Sequence, residues 1–340
     1  MIRIMQSLTP QDTLIDMTFG FMRARLLFAF SELQIADHIA QGKTTVTELS
    51  TATGTYAPFL ERFLRATASI GLLSTNNGNF ALTPLGEVLR SGVPGSVQGL
   101  FRAIMGNGHY GAWGNILASL RHGVTAFDDY FKEPIWDYFT KTNPAEGELF
   151  NQAMSDFSNA MVPAVLEAYA FPQTGTLVDV AGGNGTLLCA ILEQQPGLRG
   201  IVTDLEFTMP AARSYIASKA MSDRAEAIAA DFFKSVPEGA DAYLMKFILH
   251  DWNDEKAAAI LQTIRKAAKP ESLLLLVENV VPEEDHPGPS RVMDLNMMVM
   301  CGGRERTAAE WKALLSENGF QLSRIVPTAC PLFVIEAKVA

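Results

Sequence analysis

Only three cysteines occur in the 340 residues, Cys189, Cys301 and Cys330, an odd number with no CxxC pair. That pattern excludes a disulfide framework and a cysteine-based zinc site, and it fits a reduced compartment. Positive charge is also scarce: 27 Lys plus Arg stand against 37 Asp plus Glu, for a formal net charge of −10. A nucleic-acid surface needs a clustered cationic footprint, which this balance does not offer. Long charge-free apolar runs are missing too. Residues 103–120 reach the length of a membrane span, but they carry four glycines, two asparagines and His109, too polar for hydrocarbon. Residues 1–7, Met-Ile-Arg-Ile-Met-Gln-Ser, lack the charged start, apolar run and small-residue cleavage site of a secretion signal. The expectation is a cytoplasmic protein. With 48% hydrophobic and 19% charged residues, the chain can build a substantial core and two domains.

What is present divides near residue 100. Residues 11–41 show helical periodicity, with Leu26, Leu27, Phe30, Leu33 and Ile35 among the apolar positions. Residues 47–53 read as a short helix and 57–70 as a clearer one, striped by Leu60, Phe63, Leu64, Thr67 and Ala68. Leu72-Leu73-Ser74, the turn Asn76-Asn77-Gly78-Asn79 and Phe80-Ala81-Leu82 read as a hairpin, and Thr83-Pro84 as a capped helix start. Three helices and a hairpin make a winged-helix pattern over residues 1–100. Its candidate recognition helix offers only Arg62 and Arg65 against Glu61, so a packing or dimerisation platform is favoured over a DNA-binding regulator. The long apolar first helix predicts a homodimer.

Residues 101–340 form the remainder. The stretch 101–170 is mostly helical and aromatic-rich, and some of its rings are candidates to wall a pocket for a flat ligand. Beyond about residue 171, short apolar runs at 176–181, 200–204, 226–229, 242–249 and 273–278 alternate with helices. That is the pattern of a doubly wound, parallel α/β sheet.

Chemistry collects at the ends of these runs. The run 242–249 leads into His250, within Lys246-Phe-Ile-Leu-His250-Asp251-Trp252-Asn253-Asp254-Glu255. A histidine at the carboxyl end of a central strand lies where open α/β sheets bind ligands, and there it either caps the loop or takes a proton near neutral pH. The run 273–278 ends in Glu278, and Glu305 stands in Cys301-Gly302-Gly303-Arg304-Glu305-Arg306-Thr307. Glu305 can pair with a neighbouring arginine. Beside His250, either carboxylate would fix the ring tautomer and stabilise an imidazolium. The first run enters Asp179-Val-Ala181-Gly182-Gly183-Asn184-Gly185, a turn through which a ligand can approach the backbone. The GxGxxG pattern begun by Gly183 and Gly185 fails at Leu188, against a nicotinamide dinucleotide. Asp204, with Leu205 beside it, ends the second run, and Asp231-Phe232 follows the third. Acids on successive strand ends point to an adenosyl ligand without a diphosphate.

This constellation resembles the S-adenosylmethionine-dependent O-methyltransferases of the caffeate and hydroxyneurate type, including bacterial relatives that methylate phenazines and polyketides. The resemblance spans nearly the whole chain. It implies a winged-helix dimerisation domain, a helical bridge and a C-terminal Rossmann-like methyltransferase domain. It implies S-adenosylmethionine as cofactor, S-adenosylhomocysteine as product, no metal, and an aromatic hydroxyl as acceptor in secondary metabolism. On this resemblance Asp179, Gly182, Gly183 and Gly185 belong to the cofactor loop, Asp204 with Leu205 to the ribose, Asp231 and Phe232 to the adenine, and Lys246 to the cofactor. His250 is the implied base, with Glu278 and Glu305 as flanking acids. Met154, Phe157, Asp251, Met297 and Met298 match acceptor-pocket positions. Ala181 departs from the pattern, since many members have glycine there. Some proteins of this fold hydroxylate or decarboxylate polyketides after losing the base; intact His250, Glu278 and Glu305 favour methyl transfer instead.

Overall fold

The computed structural model describes residues 9–284 and 288–340, apart from the side chain of residue 158. Residues 1–7, read above for a secretion signal, lie outside the described residues. The chain divides into two units, residues 1–110 with 148–156, and residues 111–147 with 157–340. Among the described residues, no helix is long and apolar enough to cross a membrane.

In the first unit, the periodic stretch 11–41 is three helices, Pro10–Thr18, Gly20–Glu32 and Ile35–Ala40. The last break falls at Gln34, which takes a left-handed φ of 50°. Val46–Thr53 starts on a capping box in which Thr45 and Glu48 each satisfy the other's backbone N–H. Ala57–Ser69 follows and buries Leu60, Leu64 and Thr67. β1 (Leu73–Asn76) and β2 (Asn79–Leu82) then pair antiparallel. Their turn residues Asn77 and Gly78 both have positive φ, 49° and 81°, the backbone that a two-residue hairpin loop requires and that Asn-Gly supplies. Phe30, Ile35, Leu49, Leu60, Leu64, Leu72 and Phe80 form the core of this unit. Leu14, Ile15, Met17, Phe19, Phe21 and Met22 stay exposed along the first two helices.

The second unit is built on β3 (Thr174–Val180), β4 (Gly197–Asp204), β5 (Ala225–Ala229), β6 (Ala242–Lys246) and β7 (Leu273–Val281), all parallel. β8 (Arg306–Thr307) is a short parallel partner of β7. β9 (Phe320–Pro327) and β10 (Leu332–Val339) close the sheet in the order β5-β4-β3-β6-β7-β10-β9. The strand order reverses between β3 and β6, and that junction is the expected ligand crevice. One core, with Leu188, Ile191, Leu192 and Val202, packs on one face of the sheet, and another, with Ile260, Leu261, Ile264 and Trp311, packs on the other.

Three expectations need correction. The sheet is mixed, because β10 runs antiparallel to both β7 and β9. β6 ends at Lys246, three residues earlier than the apolar run indicates. Phe247 turns the chain with a left-handed φ of 55°, and His250 stands on a 3₁₀ turn, Leu249–Asp251. Glu278 does not end its strand, since β7 continues to Val281.

After β3 the chain turns through Ala181 (φ 56°), Gly183 (φ 60°) and Gly185 (φ 82°) into the helix Thr186–Gln194. A Cβ in the left-handed region costs about 1–2 kcal/mol, so Ala181 holds strain that glycine would release. Glycine also gains about 0.4–1 kcal/mol of unfolded-chain freedom, which offsets part of that release. Ala181→Gly is therefore expected to stabilise the second unit by about 0.5–1 kcal/mol. Urea unfolding would show a raised midpoint at unchanged slope.

Candidate active site

Two neighbouring backbone N–H groups, those of Ile248 and Leu249, point at one oxygen, Oε1 of Glu278, each at 2.9 Å. This carboxylate reaches from β7 across to the chain leaving β6 and holds the turn that carries His250. The imidazole is buried, and its Nδ1 lies 2.9 Å from Glu305 Oε1 and 3.8 Å from Glu278 Oε2. Its Nε2 lies 3.5 Å from Asp251 Oδ1. The ring stacks on Phe247 with centroids 5.1 Å apart and planes 22° apart, and Phe247 stacks in turn on Phe157 at 6.1 Å and 23°.

The loop before β8 closes over the same turn. Arg304 N–H donates to the His250 carbonyl at 2.8 Å. A Cβ on Gly303 would stand 2.0 Å from that carbonyl oxygen, so only glycine admits this approach. Asp294 Oδ1 accepts the Glu305 N–H at 2.9 Å and steadies the second acid. Arg304 and Arg306 both pair with Asp254, which leaves Glu305 to the imidazole.

These groups shape one another's protonation. Burial opposes an imidazolium, but Glu278, Asp251 and Glu305 together outweigh it and push His250 up to about 10. Burial raises Glu278 to about 7 and Asp251 to about 6, with His250 pulling against both. Oε2 of Glu278 and Oε2 of Glu305 are buried without a hydrogen-bond partner, so the imidazole carries the positive charge for an acid-rich pocket.

The crevice between β3 and β6 holds the second cluster. Asp179 is buried, and a Cβ on Gly182 would come within 2.5 Å of its Oδ2, so this turn wraps the carboxyl tightly. That Oδ2 has no hydrogen-bond partner. Burial lifts Asp179 to about 7, with Lys246 holding it down and Asp204 pushing it up. Lys246 is lowered by burial, while Asp179 and Glu278 act in the opposite sense. Asp204 Oδ2 accepts the Gly183 N–H at 3.0 Å and its Oδ1 the Leu205 N–H at 2.7 Å. A carboxylate fixed this way keeps lone pairs for two hydroxyls. Asp231 accepts from Lys234 at 2.9 Å and from the Phe233 N–H at 3.0 Å, and Phe232 meets Trp252 edge-on. An orphaned acid, a glycine cradle and acids on successive strand ends fit an adenosyl group.

The candidate pocket residues separate. Asp251 lies against His250, whereas Phe157 reaches the imidazole only through Phe247. Met297 is buried and supports the loop through its carbonyl, which accepts the Cys301 and Gly303 N–H groups. Met298 lines a cleft of about 310 Å³ together with Trp252, Lys256 and Cys301. Met154 belongs to the first unit, on the long helix Pro144–Ala168. Phe247, Asp294 and Gly303 carry parts of the site that the residue pattern did not single out. Only Gly303 had a visible signal, as one of the paired glycines before Glu305.

Residues 113–321 match the O-methyltransferase domain and residues 15–92 the O-methyltransferase dimerisation domain. Over 327 residues the chain is 38% identical to a phenazine O-methyltransferase of Lysobacter antibioticus, covering 96% of this chain and 95% of that one. Among solved structures, LaPhzM matches with a TM-score of 0.93 and 36% identity, over 98% of this chain and 100% of that one. An O-methyltransferase of neocarzinostatin biosynthesis, solved with S-adenosylmethionine and 2-hydroxy-5-methyl naphthoic acid, matches at a TM-score of 0.84 and 29% identity. That match covers 94% of this chain and 96% of the other. With both domains present and this similarity running end to end, the chain belongs to the S-adenosylmethionine-dependent O-methyltransferases.

Proposed function

We propose that the enzyme methylates a hydroxyl of a small, flat aromatic acceptor in secondary metabolism, with His250 as general base. The observation that carries this reading is the buried imidazole whose Nδ1 is held 2.9 Å from Glu305, beside the junction where strand order reverses. Asp179, the Gly182–Gly185 turn and Lys246 would hold S-adenosylmethionine, with Asp204 and Leu205 at its ribose and Asp231 and Phe232 at its adenine. When bound, the cofactor supplies a methyl group on a sulfonium, open to attack by an oxyanion. The chain's own task is to make that oxyanion and keep it in place.

In the neutral ring Glu305 accepts a hydrogen bond from Nδ1–H, which leaves the lone pair on Nε2, the nitrogen beside Asp251. Nε2 takes the acceptor's hydroxyl proton, and Glu278 and Glu305 stabilise the imidazolium that results. Phe157, Phe247 and the His250 ring lie in nearly parallel planes, a shape suited to a planar ring system. Acceptors of the phenazine or naphthoate kind fit this shape and are the kinds named for the relatives. We further propose a cytoplasmic homodimer, supported by the dimerisation domain and by the apolar face of the first two helices.

His250→Ala is expected to lower kcat by about 10²–10⁴-fold while leaving S-adenosylmethionine affinity unchanged by calorimetry. Parental kcat in that variant would sink the base assignment.

The acids also predict a pH profile. Because they raise the imidazole pKa, the neutral base becomes more abundant as pH rises, and kcat/KM should climb from neutral toward alkaline pH. Glu305→Gln removes one of the negative charges that hold the pKa up. Its rise should move to lower pH, with a reduced plateau, in steady-state assays across buffers; a profile identical to the parent would contradict the assigned role.

Light scattering should give a mass near twice the 37.0 kDa of one chain. Ile15→Glu, on the exposed apolar face, should lower that mass toward the monomer.

A further inference from the structure

We propose that Arg306 is a positioning residue for methyl transfer, fixing the turn that aims the base. The proposal rests on reading His250 as that base. Arg306 is only 1% exposed, although its side chain is always charged. A buried guanidinium is tolerated when its donors are all met, and all five N–H groups of this one are. Nε donates to Asp254 Oδ1 at 3.1 Å. One terminal nitrogen donates to the Leu249 carbonyl at 3.0 Å and the Arg304 carbonyl at 3.4 Å. The other donates to the Trp252 carbonyl at 3.0 Å and Asp254 Oδ1 at 2.9 Å. The plane lies over the Trp311 ring, 5.1 Å from its centroid.

Leu249 and Trp252 bracket His250 and Asp251. The guanidinium therefore grips both ends of the catalytic turn by their carbonyls, while the Arg304 N–H takes the His250 carbonyl between them. Glu278 grips the same turn from the other side by the N–H groups of Ile248 and Leu249. A 3₁₀ turn of three residues has little internal hydrogen bonding to hold its shape. Its geometry comes from these two buried ions of opposite sign. Arg306 touches neither the imidazole ring nor the crevice beside β3, so its effect on catalysis passes through His250.

The test is Arg306→Lys in the full-length enzyme, alone and combined with His250→Ala. Lysine retains charge beside Asp254, but three donors on one atom cannot span carbonyls three residues apart. The expected single variant binds S-adenosylhomocysteine within about twofold of the parent and keeps the KM for S-adenosylmethionine, while kcat falls about 10–100-fold, the scale of a base displaced by about an ångström. Its pH rise should also shift, because the ring moves relative to its acids. In the His250→Ala background the same substitution should leave the residual rate unchanged, since there is no base left to position.

Parental kcat in the single variant, or losses that multiply in the double variant, would overturn the proposal. Should the lysine variant fail to fold, Arg306→Gln enters the same cycle; failure of both to fold would assign Arg306 to stability alone and also overturn it. Parental kcat in His250→Ala by itself would instead bring down the base reading, whatever Arg306 does.

Discussion

A left-handed phenylalanine makes the rest of the site possible. At Phe247 the chain leaves the β6 register, and the next two N–H groups lose any strand partner. Unpaired N–H groups in a buried position cost about 1–3 kcal/mol each, so this bend persists only if something accepts them. Glu278 does so with a single oxygen. The same carboxylate would be costly to bury ionised without donors, and here the donors are supplied by the bend it stabilises. The bend turns the histidine out of the sheet plane, and Phe247 itself becomes the floor on which the imidazole stacks. Strain, buried charge and ring placement are one arrangement, and none of the three stands without the others.

The surrounding acids set the protonation of His250. An isolated buried imidazole would lose its proton readily, but here the carboxylates raise it to about 10. At neutral pH the ring therefore rests charged, and its neutral form grows as pH rises. The acids are divided between both nitrogens, Glu305 and Glu278 near Nδ1 and Asp251 near Nε2.

Much of this was legible in the residues. Asn77-Gly78 announced its hairpin because positive φ at two successive positions admits few other pairs. Asp204 and the glycines after β3 stood out at the ends of apolar runs, and the structure brings them together, with the Gly183 N–H on the Asp204 carboxylate. The end of β6 was not legible. Phe247-Ile248-Leu249 continues an apolar run, and nothing in its composition shows that the chain turns there; the evidence for the turn is Glu278, about thirty positions later. The antiparallel β10 was hidden for a related reason, since a buried strand looks the same in either direction. Arg306 was invisible as a site residue because most of its partners are backbone carbonyls, which leave no mark on side-chain pattern. Its neighbours made it look like half of a surface ion pair with Glu305, whereas the structure turns the two side chains to different partners.

Asp251 shows how little freedom remains once the turn is fixed. Its Oδ1 lies 3.5 Å from Nε2, too long for a good hydrogen bond yet close enough to favour the charged ring. The Cys301 thiol, a weak donor, lies 3.8 Å from the same oxygen. Asp251 and His250 are thus held as one unit, because sequence neighbours on a clamped 3₁₀ turn cannot be moved independently.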